Sequence, residues 1–532
     1  MNFPAFGPKF FLGFAYADSA GRLMFPAQGR QASGPLYSKV GEREQSAIEA
    51  FIKTFLFMFG TNQNTPRALQ HKLHVLLRTG KLLVGAAADT SRIMRNMSRT
   101  AAYLGLQEEN LQINIDYNML MVNLTDGEHS YCQFMRCKKH GIDMTAIEAV
   151  SRLTWQAIKA DYSVERFEEE LDRIEGRRRN YTPWQVAVGA GVACGGFCVQ
   201  FGGDWPSFLY ASVAAMLGFR LRQIMNEKGS NDYLNIAVAA FLSTIVAWLF
   251  AQVSVNLAVT DRLPGALRGV LVSETPWHPL MACALFIVPG VPLINFVNDM
   301  LNSYVQVGIT RAVNTLLMVL AMSFGIAFAI SFCGIDNFVK TLSMTPHHEY
   351  WEFATAAAIS AMGFSMIFNI PRRLLWAVAV GGVLAVCTRN FVSLGASNGN
   401  IGLDYGPIIG SFVGSAFVSI VCTRAMHWLH TPHHCLSIPS VIPMIPGVLM
   451  YRALFALIDM HGVVGEVTVA MNNGIRASLM ILFISVGVAI PNIFVRRMTQ
   501  PSSHRRLLDL LVERKRRHGE FVDLTEVEQN NG

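Results

Sequence analysis

The sequence predicts an α-helical membrane protein with ten transmembrane helices, arranged as two inverted five-helix repeats and preceded by a small α+β cytoplasmic domain. Three observations predict it. Charged residues make up 15% of the 532 and hydrophobic ones 52%, against about 25% charge in soluble domains. The charge is also segregated: residues 38–180 are ordinarily polar and 184–497 nearly all apolar, so a soluble part precedes a membrane part. Finally, one dipeptide interrupts the apolar part twice, in Phe286-Ile-Val-Pro289-Gly290-Val-Pro292 and Pro443-Met-Ile-Pro446-Gly447-Val448, 157 positions apart. A second echo, Gly196-Phe-Cys-Val-Gln-Phe201 against Gly363-Phe-Ser-Met-Ile-Phe368, lies 167 apart.

Residues 1–38 read as a flexible extension. Lys9 is followed by only about seven apolar residues, at the bottom of the range for a signal peptide, so cleavage is not expected. The cytoplasmic domain is placed at 39–180. Phe51, Phe55 and Phe59 suggest an amphipathic helix ahead of its core. Leu69, Leu73, Leu76 and Leu77, then Ile93, Met94, Met97 and Leu104, follow helical spacing. Leu111, Ile113, Ile115 and Tyr117 alternate with polar residues as a strand, Thr125-Asp-Gly-Glu128 carries a hairpin signal, and Ser130–Arg136 returns as a strand. Ile147, Val150, Leu153 and Ile158 mark another helix, and Val164, Phe167, Leu171 and Ile174 a last one running into Arg177-Arg-Arg179.

Ten apolar segments follow, near 184–202, 206–225, 233–259, 277–297, 312–333, 352–370, 373–391, 405–424, 438–458 and 477–495. They fall into repeats at 181–335 and 350–497, with a basic cytoplasmic tail at 498–532. Placing the N-terminal domain in the cytoplasm puts Arg177–Arg179, Arg220, Arg222, Lys228, Arg311, Arg372, Arg373, Arg424, Arg496 and Arg497 inside. Arg262, Arg268, Lys340, Arg389 and Arg476 stay outside, so both termini are cytoplasmic. Five segments per unit is odd, which inverts the second unit.

Pro-Gly inside a bilayer frees backbone groups that lipid cannot satisfy, so such breaks persist where they line protein or water. Paired breaks in two repeats point to a transport site. The candidate substrate-binding residues are therefore Pro289, Gly290, Pro292 and Asn295 at the first break and Pro446, Gly447, Tyr451 and Arg452 at the second. Counted from the prolines, Asn295 and Arg452 are equivalent. Unwound backbone presents N–H groups to a substrate carboxylate, with Arg452 as its charge partner; the alternative for Arg452 is snorkelling to the outer surface. Asp299, Arg311 and Asp459 are the candidate coupling or gating residues, although Asp299 also suits a plain ion pair with Arg311.

Nine scattered cysteines read as reduced packing residues. His427-Trp-Leu-His430-Thr-Pro-His433-His434-Cys435 reads as a polar or pH-responsive loop rather than a metal site, because Pro432 breaks any single helical face. No nucleophile elbow, phosphate loop or zinc-hydrolase motif occurs, so neither an enzyme nor nucleotide-driven transport is expected, and no cofactor or metal. The net charge of +7 collects at membrane boundaries and in Arg514-Lys-Arg-Arg517, which reports lipid contact rather than nucleic acid.

Over residues 68–497 the chain resembles the threonine/serine exporter family, whose members include two-component relatives implicated in dicarboxylate export. The resemblance rests on Gly85-Ala-Ala-Ala-Asp-Thr90-Ser91-Arg92, Leu104-Gly-Leu106, Gly196-Phe197 with Gly202-Gly-Asp204, Val288-Pro-Gly-Val-Pro292 with Asp299, Gly363-Phe with Pro371-Arg-Arg373, and Pro446-Gly447 with Tyr451. Family members often carry an acid two positions after the arginine matching Arg92, where this chain has Met94; Arg92 itself reads as a structural or interdomain contact. The resemblance implies secondary active export of a small amino or organic acid across the plasma (inner) membrane. The expectation is an exporter of threonine or serine type, alternating access at the two breaks and driven by protons; the alternatives are a dicarboxylate (succinate-type) exporter, a membrane-bound enzyme and a sensor. Its partners are a small-molecule substrate, protons and the lipid bilayer, with a homo-oligomer left open.

Overall fold

The computed structural model describes residues 16–17, 23–24, 66–125, 129–137, 141–260, 264–335, 349–395, 401–429, 431–458 and 464–517. Most of the extension at 1–38, the helix expected around Phe51–Phe59, His430 and Asp459 lie outside the described residues. At the N-terminus, β1 (Tyr16–Ala17) and β2 (Leu23–Met24) form an antiparallel pair.

The N-terminal domain begins with α1 (Pro66–Gly85) and α2 (Thr90–Tyr103). Leu69, Leu73, Leu76 and Leu77 face inward at helical spacing. Asp89 caps α2, accepting from the Arg92 amide. Strands β3 (Leu111–Ile115), β4 (Met119–Thr125) and β5 (Ser130–Arg136) form an antiparallel meander. Its register pairs Ile113 with Val122 and Val122 with Gln133. Leu120, Val122 and Leu124 are buried, so alternation fixes which face meets the helices. Helices α3 (Met144–Lys159) and α4 (Val164–Glu175) complete the layer, where Phe167 of α4 packs on Tyr103, ring centroids 5.1 Å apart.

The remaining elements are helical. They are α5 (Pro183–Gln200), α6 (Trp205–Glu227), α7 (Asp232–Thr260), α8 (Gly265–Leu271), α9 (Pro279–Ala282), α10 (Gly290–Leu301) and α11 (Val305–Phe332). After these come α12 (Tyr350–Ile367), α13 (Leu375–Ser393), α14 (Gly406–Leu429), α15 (His434–Val441), α16 (Gly447–Ile458) and α17 (Val464–Arg517). Among the described residues, five helices are long and apolar enough to cross a membrane. Two bent pairs, kinked by 57° at Pro289-Gly290 and by 54° at Pro446-Gly447, raise the number to seven.

The expected ten spans thus become five to seven on length and apolarity. The other three segments form α5 and α12, rich in Gly, Ala and Ser, and α6, whose second half carries Arg220, Arg222, Gln223 and Asn226. α5 and α12 approach almost backbone to backbone: a Cβ on Gly363 would lie 2.4 Å from the Gly189 carbonyl oxygen. Small residues permit such packing at the expense of hydropathy.

Neighbours recur in the same order. α5–α6, α6–α7, α7–α11 and α10–α11 pack together, as do α12–α13, α13–α14, α14–α17 and α16–α17. The broken elements run in opposite senses. The start of α9 lies near Asp204, whose amide donates to Thr275 Oγ1 (2.9 Å), while α10 ends against the N-terminal domain, where Asp299 accepts from the Thr90 amide (2.9 Å). α15 instead starts at that domain, Cys435 Sγ lying 3.7 Å from the Met144 carbonyl.

Two further expectations are corrected. The last segment does not give way to a separate tail at 498; α17 runs on unbroken to Arg517. There Arg514 donates to Asp161 Oδ1 and to the Tyr103 carbonyl, both at 2.6 Å. His433, His434 and Cys435 are buried at the start of α15 rather than exposed in a loop, because the tip of the N-terminal domain covers them.

Candidate functional site at the paired breaks

The two breaks have the same backbone. At the first, the Val288 amide donates to Leu285 O (3.1 Å), Gly290 to Val288 O (2.8 Å) and Leu293 to Pro289 O (2.9 Å). At positions 157 further on, Ile445 donates to Ile442 O (3.0 Å), Gly447 to Ile445 O (2.8 Å) and Met450 to Pro446 O (3.1 Å). Each proline withholds a donor and each following glycine starts a new helix, so both chains kink at one place.

The breaks also lock into each other. A Cβ on Gly290 would lie 2.4 Å from Ile442 Cδ1 and 2.8 Å from Ile445 Cδ1. A Cβ on Gly447 would lie 2.8 Å from Leu285 Cδ2 and 3.3 Å from Val288 Cγ2. These contacts are reciprocal under the 157-residue offset. A larger residue at either centre would have to displace the tips of the facing Ile or Leu side chains.

Beyond the first break, α10 carries Asn295 and Asp299 on one face, four residues apart. Asn295 Nδ2 donates to Ala87 O (2.9 Å), and Asp299 Oδ2 pairs with Arg311 Nη1 of α11 at 3.1 Å. Arg311 Nη2 donates to Ala88 O (2.8 Å). The turn that receives these bonds is the Ala86–Asp89 tip between α1 and α2, where Ala87 adopts a left-handed φ of 60°. A non-glycine residue held there stores strain, and it aims the carbonyl at Asn295. Burial pushes the Asp89 carboxyl up, but the charge and hydrogen bonds of Arg92 outweigh this and hold it well below the usual carboxylate range.

A cavity of about 260 Å³ lies beside the first break. Pro289, Gly290, Pro292, Asn295 and Arg311 line it, together with Arg179, Arg222 and Asp116. Its size suits a small metabolite, just under the range of drug-sized pockets. Of the expected site residues, the structure brings these five together, with Asp299 behind Arg311. Pro446 and Gly447 contribute through packing on the first break. Tyr451 is buried and Arg452 half-buried on α16, and neither lines this cavity. Asp459 lies outside the described residues.

Sequence reasoning used Arg179 and Arg222 only as topology signals and missed them as cavity residues. Their signal was positional, since both lie at the end of the membrane part from which α10 receives the N-terminal tip. Among the described residues no group of three His, Cys, Asp or Glu side chains is arranged to hold a metal.

With this geometry in view, two family models match. The one described as "Putative threonine/serine exporter" covers residues 74–333, and "Threonine/Serine exporter, ThrE" covers 354–494. The chain belongs to the threonine/serine exporter family. Together the two matches span the N-terminal domain and both break-bearing halves, so this member joins the two family modules in one chain and is an integral membrane protein. Among curated relatives, "Probable succinate transporter subunit YjjP" of Escherichia coli (strain K12) is 25% identical over 266 residues, covering 49% of this chain and 95% of the relative. The protein of the same description from Klebsiella aerogenes is 24% identical, over 48% of this chain and 90% of its own length. "Probable threonine/serine exporter" of Mycobacterium tuberculosis is 18% identical over 392 residues, 72% of this chain and 69% of the relative. No solved structure gives a significant match.

Proposed function

We propose that the protein is a secondary active exporter of a small amino acid of threonine or serine type. Its two five-helix units are read as inverted repeats that expose the paired breaks alternately to the two sides of the plasma membrane, driven by protons. The observation that carries this is the reciprocal packing of Gly290 on Ile442 and Ile445 and of Gly447 on Leu285 and Val288. Two copies of one kink that run in opposite senses and share one interface form a unit with two nearly equivalent arrangements. Alternating access needs such a unit.

In the present arrangement the first break faces the cavity. Arg222 and the N-terminal end of α10 are assigned to the substrate carboxylate, and Asp116, at the rim, to its ammonium group. Pro289, Gly290, Pro292 and Asn295 shape the wall. Arg311 and Asp299 gate the path through the Ala86–Asp89 tip. Pro446, Gly447, Tyr451 and Arg452 take the matching part when the other side opens.

A second reading, export of a dicarboxylate, is favoured by three guanidinium groups around the cavity, Arg179, Arg222 and Arg311, and by the names of the YjjP relatives. Counterflow in proteoliposomes separates the two. Labelled threonine is expected to exchange and labelled succinate not to, with Asp116→Asn and Arg452→Ala each slowing threonine. Exchange of succinate alone, undisturbed by Asp116→Asn, would establish the second reading. Exchange of neither would remove both.

A further inference from the structure

We propose that the basic pocket between the N-terminal domain and the start of α13 binds the headgroup of an acidic phospholipid. This pocket, about 410 Å³, is lined by Arg152, Arg177, Arg372 and Arg373 together with Asn180 and Glu148. Glu148 is buried at its base. One of its carboxylate oxygens accepts from Arg152 and from Arg373 Nη2 (2.7 Å for the latter), and the other, Oε2, has no hydrogen-bond partner. Arg152 and Arg373 are nevertheless about half exposed, at 51% and 54%. Each guanidinium carries five N–H donors, and each gives one nitrogen, Nη2, to Glu148. Arg372 is held by the Asn180 carbonyl (3.2 Å), Gln185 Oε1 (3.3 Å) and the Tyr181 ring. Four arginines thus surround one carboxylate, two of them bonded to it and Arg372 held from the side, a set of guanidinium groups suited to phosphate oxygens.

The position of the pocket selects a lipid over a soluble anion. Arg372 opens the span Arg372–Ser393. One turn further on, Trp376 is 62% exposed and Val380 52%, with Val383 and Leu384 on the same side of the helix. Trp184 is exposed on the first turn of α5, beside the Gln185 that holds Arg372. Exposed tryptophans mark headgroup depth. A phosphate seated on the arginines would lay its acyl chains along Trp376, Val380 and Leu384, a stripe that a free anion leaves unused. The charge bias of the loops makes this the cytoplasmic surface, where acidic lipids attract basic clusters. The inference rests on α13 spanning the membrane and is independent of the solute carried.

The test uses the full chain in neutral detergent, titrated with phosphatidylglycerol, phosphatidylcholine or glycerol 3-phosphate and followed by native mass spectrometry. Phosphatidylglycerol is expected to stay bound, to weaken with salt, and to lose affinity roughly thirty-fold in Arg372→Gln/Arg373→Gln. Equal retention of phosphatidylcholine overturns the proposal. So does displacement of phosphatidylglycerol by glycerol 3-phosphate at matching concentrations, which would make this a soluble-anion pocket. Where the double variant does not fold, Arg177→Gln at the rim carries the test, with a loss of roughly five-fold expected; unchanged retention in that variant overturns the proposal as well.

Discussion

At the first break, the helix after Pro289 carries Asn295 and Asp299 toward a cavity and a receiving turn of the N-terminal domain. At the second, the positions that correspond are Arg452 and Ala456, and the partner of Arg311 is Thr468. The backbone around the two prolines matches bond for bond, whereas the polar groups one turn beyond do not. The difference follows from the single N-terminal domain, which can dock at only one end of the membrane part. The domain meets the first broken pair beyond its break, at Asp299, and the second before its break, at Cys435.

This contrast is sharpened first at the ion pair. Asp299→Asn leaves Arg311 buried beside a neutral group, and the expected cost is about 3–5 kcal/mol. The melting temperature in detergent should drop strongly, and Asp299→Asn combined with Arg311→Gln should recover part of it. If the double variant is as unstable as the sum of the singles, the pair is not coupled.

The shared kink is tested next. Gly290→Val drives methyl groups into Ile442 and Ile445, an overpacking cost of about 1–3 kcal/mol, and counterflow should fall to background. Gly447→Val meets Leu285 and Val288 at slightly longer range and should be milder. Restoration of exchange by Ile442→Ala in the Gly290→Val background would confirm that the contact itself is responsible.

A smaller effect is expected from Asn295→Ala, which removes one hydrogen bond to Ala87 and costs about 1 kcal/mol. Amide exchange at the Ala86–Asp89 tip should accelerate there and not in Arg452→Ala. The smallest concerns acid. The Asp89 carboxyl is lowered in the folded protein, so its contribution is present above the unfolded value near 3.9 and fades as pH falls below that. Asp89→Asn keeps a capping oxygen but should flatten the loss of stability below about pH 4; a variant with the parent acid profile would show that the charge of Asp89 is immaterial.

Much of this was legible before any coordinates. The Pro-Gly pair could be read because proline removes a donor wherever it stands, and β3 because Leu111, Ile113 and Ile115 alternate with polar residues. The Asp299–Arg311 pairing was anticipated as one of two options. The docking of Ala86–Asp89 was not legible, because its alanines carry no pattern and the contacts use the Ala87 and Ala88 carbonyls and the Thr90 amide, groups that every residue possesses. The buried His433-His434 pair looked polar for want of knowing what covers it. Length and apolarity alone do not mark α5, α6 and α12 as spans, since helices that pack closely on other helices use small side chains rather than greasy ones. The reach of α17 past Pro491 and Pro501 escaped notice because proline normally signals an end.

That last helix has a mechanical consequence. At 1.5 Å per residue its 54 residues make a rod about 80 Å long. A tilt of about 10° around its middle would carry each end some 7 Å sideways, by the same rise per residue. Its far end is tied to the N-terminal domain through Arg514, and that domain is also bolted to α10 and α11 through Thr90, Ala87 and Ala88. The domain is therefore a cross-brace between the two halves of the membrane part. Rocking one half against the other must either carry the brace along with α17 and tear it from Asp299, or leave it seated and pull Arg514 free.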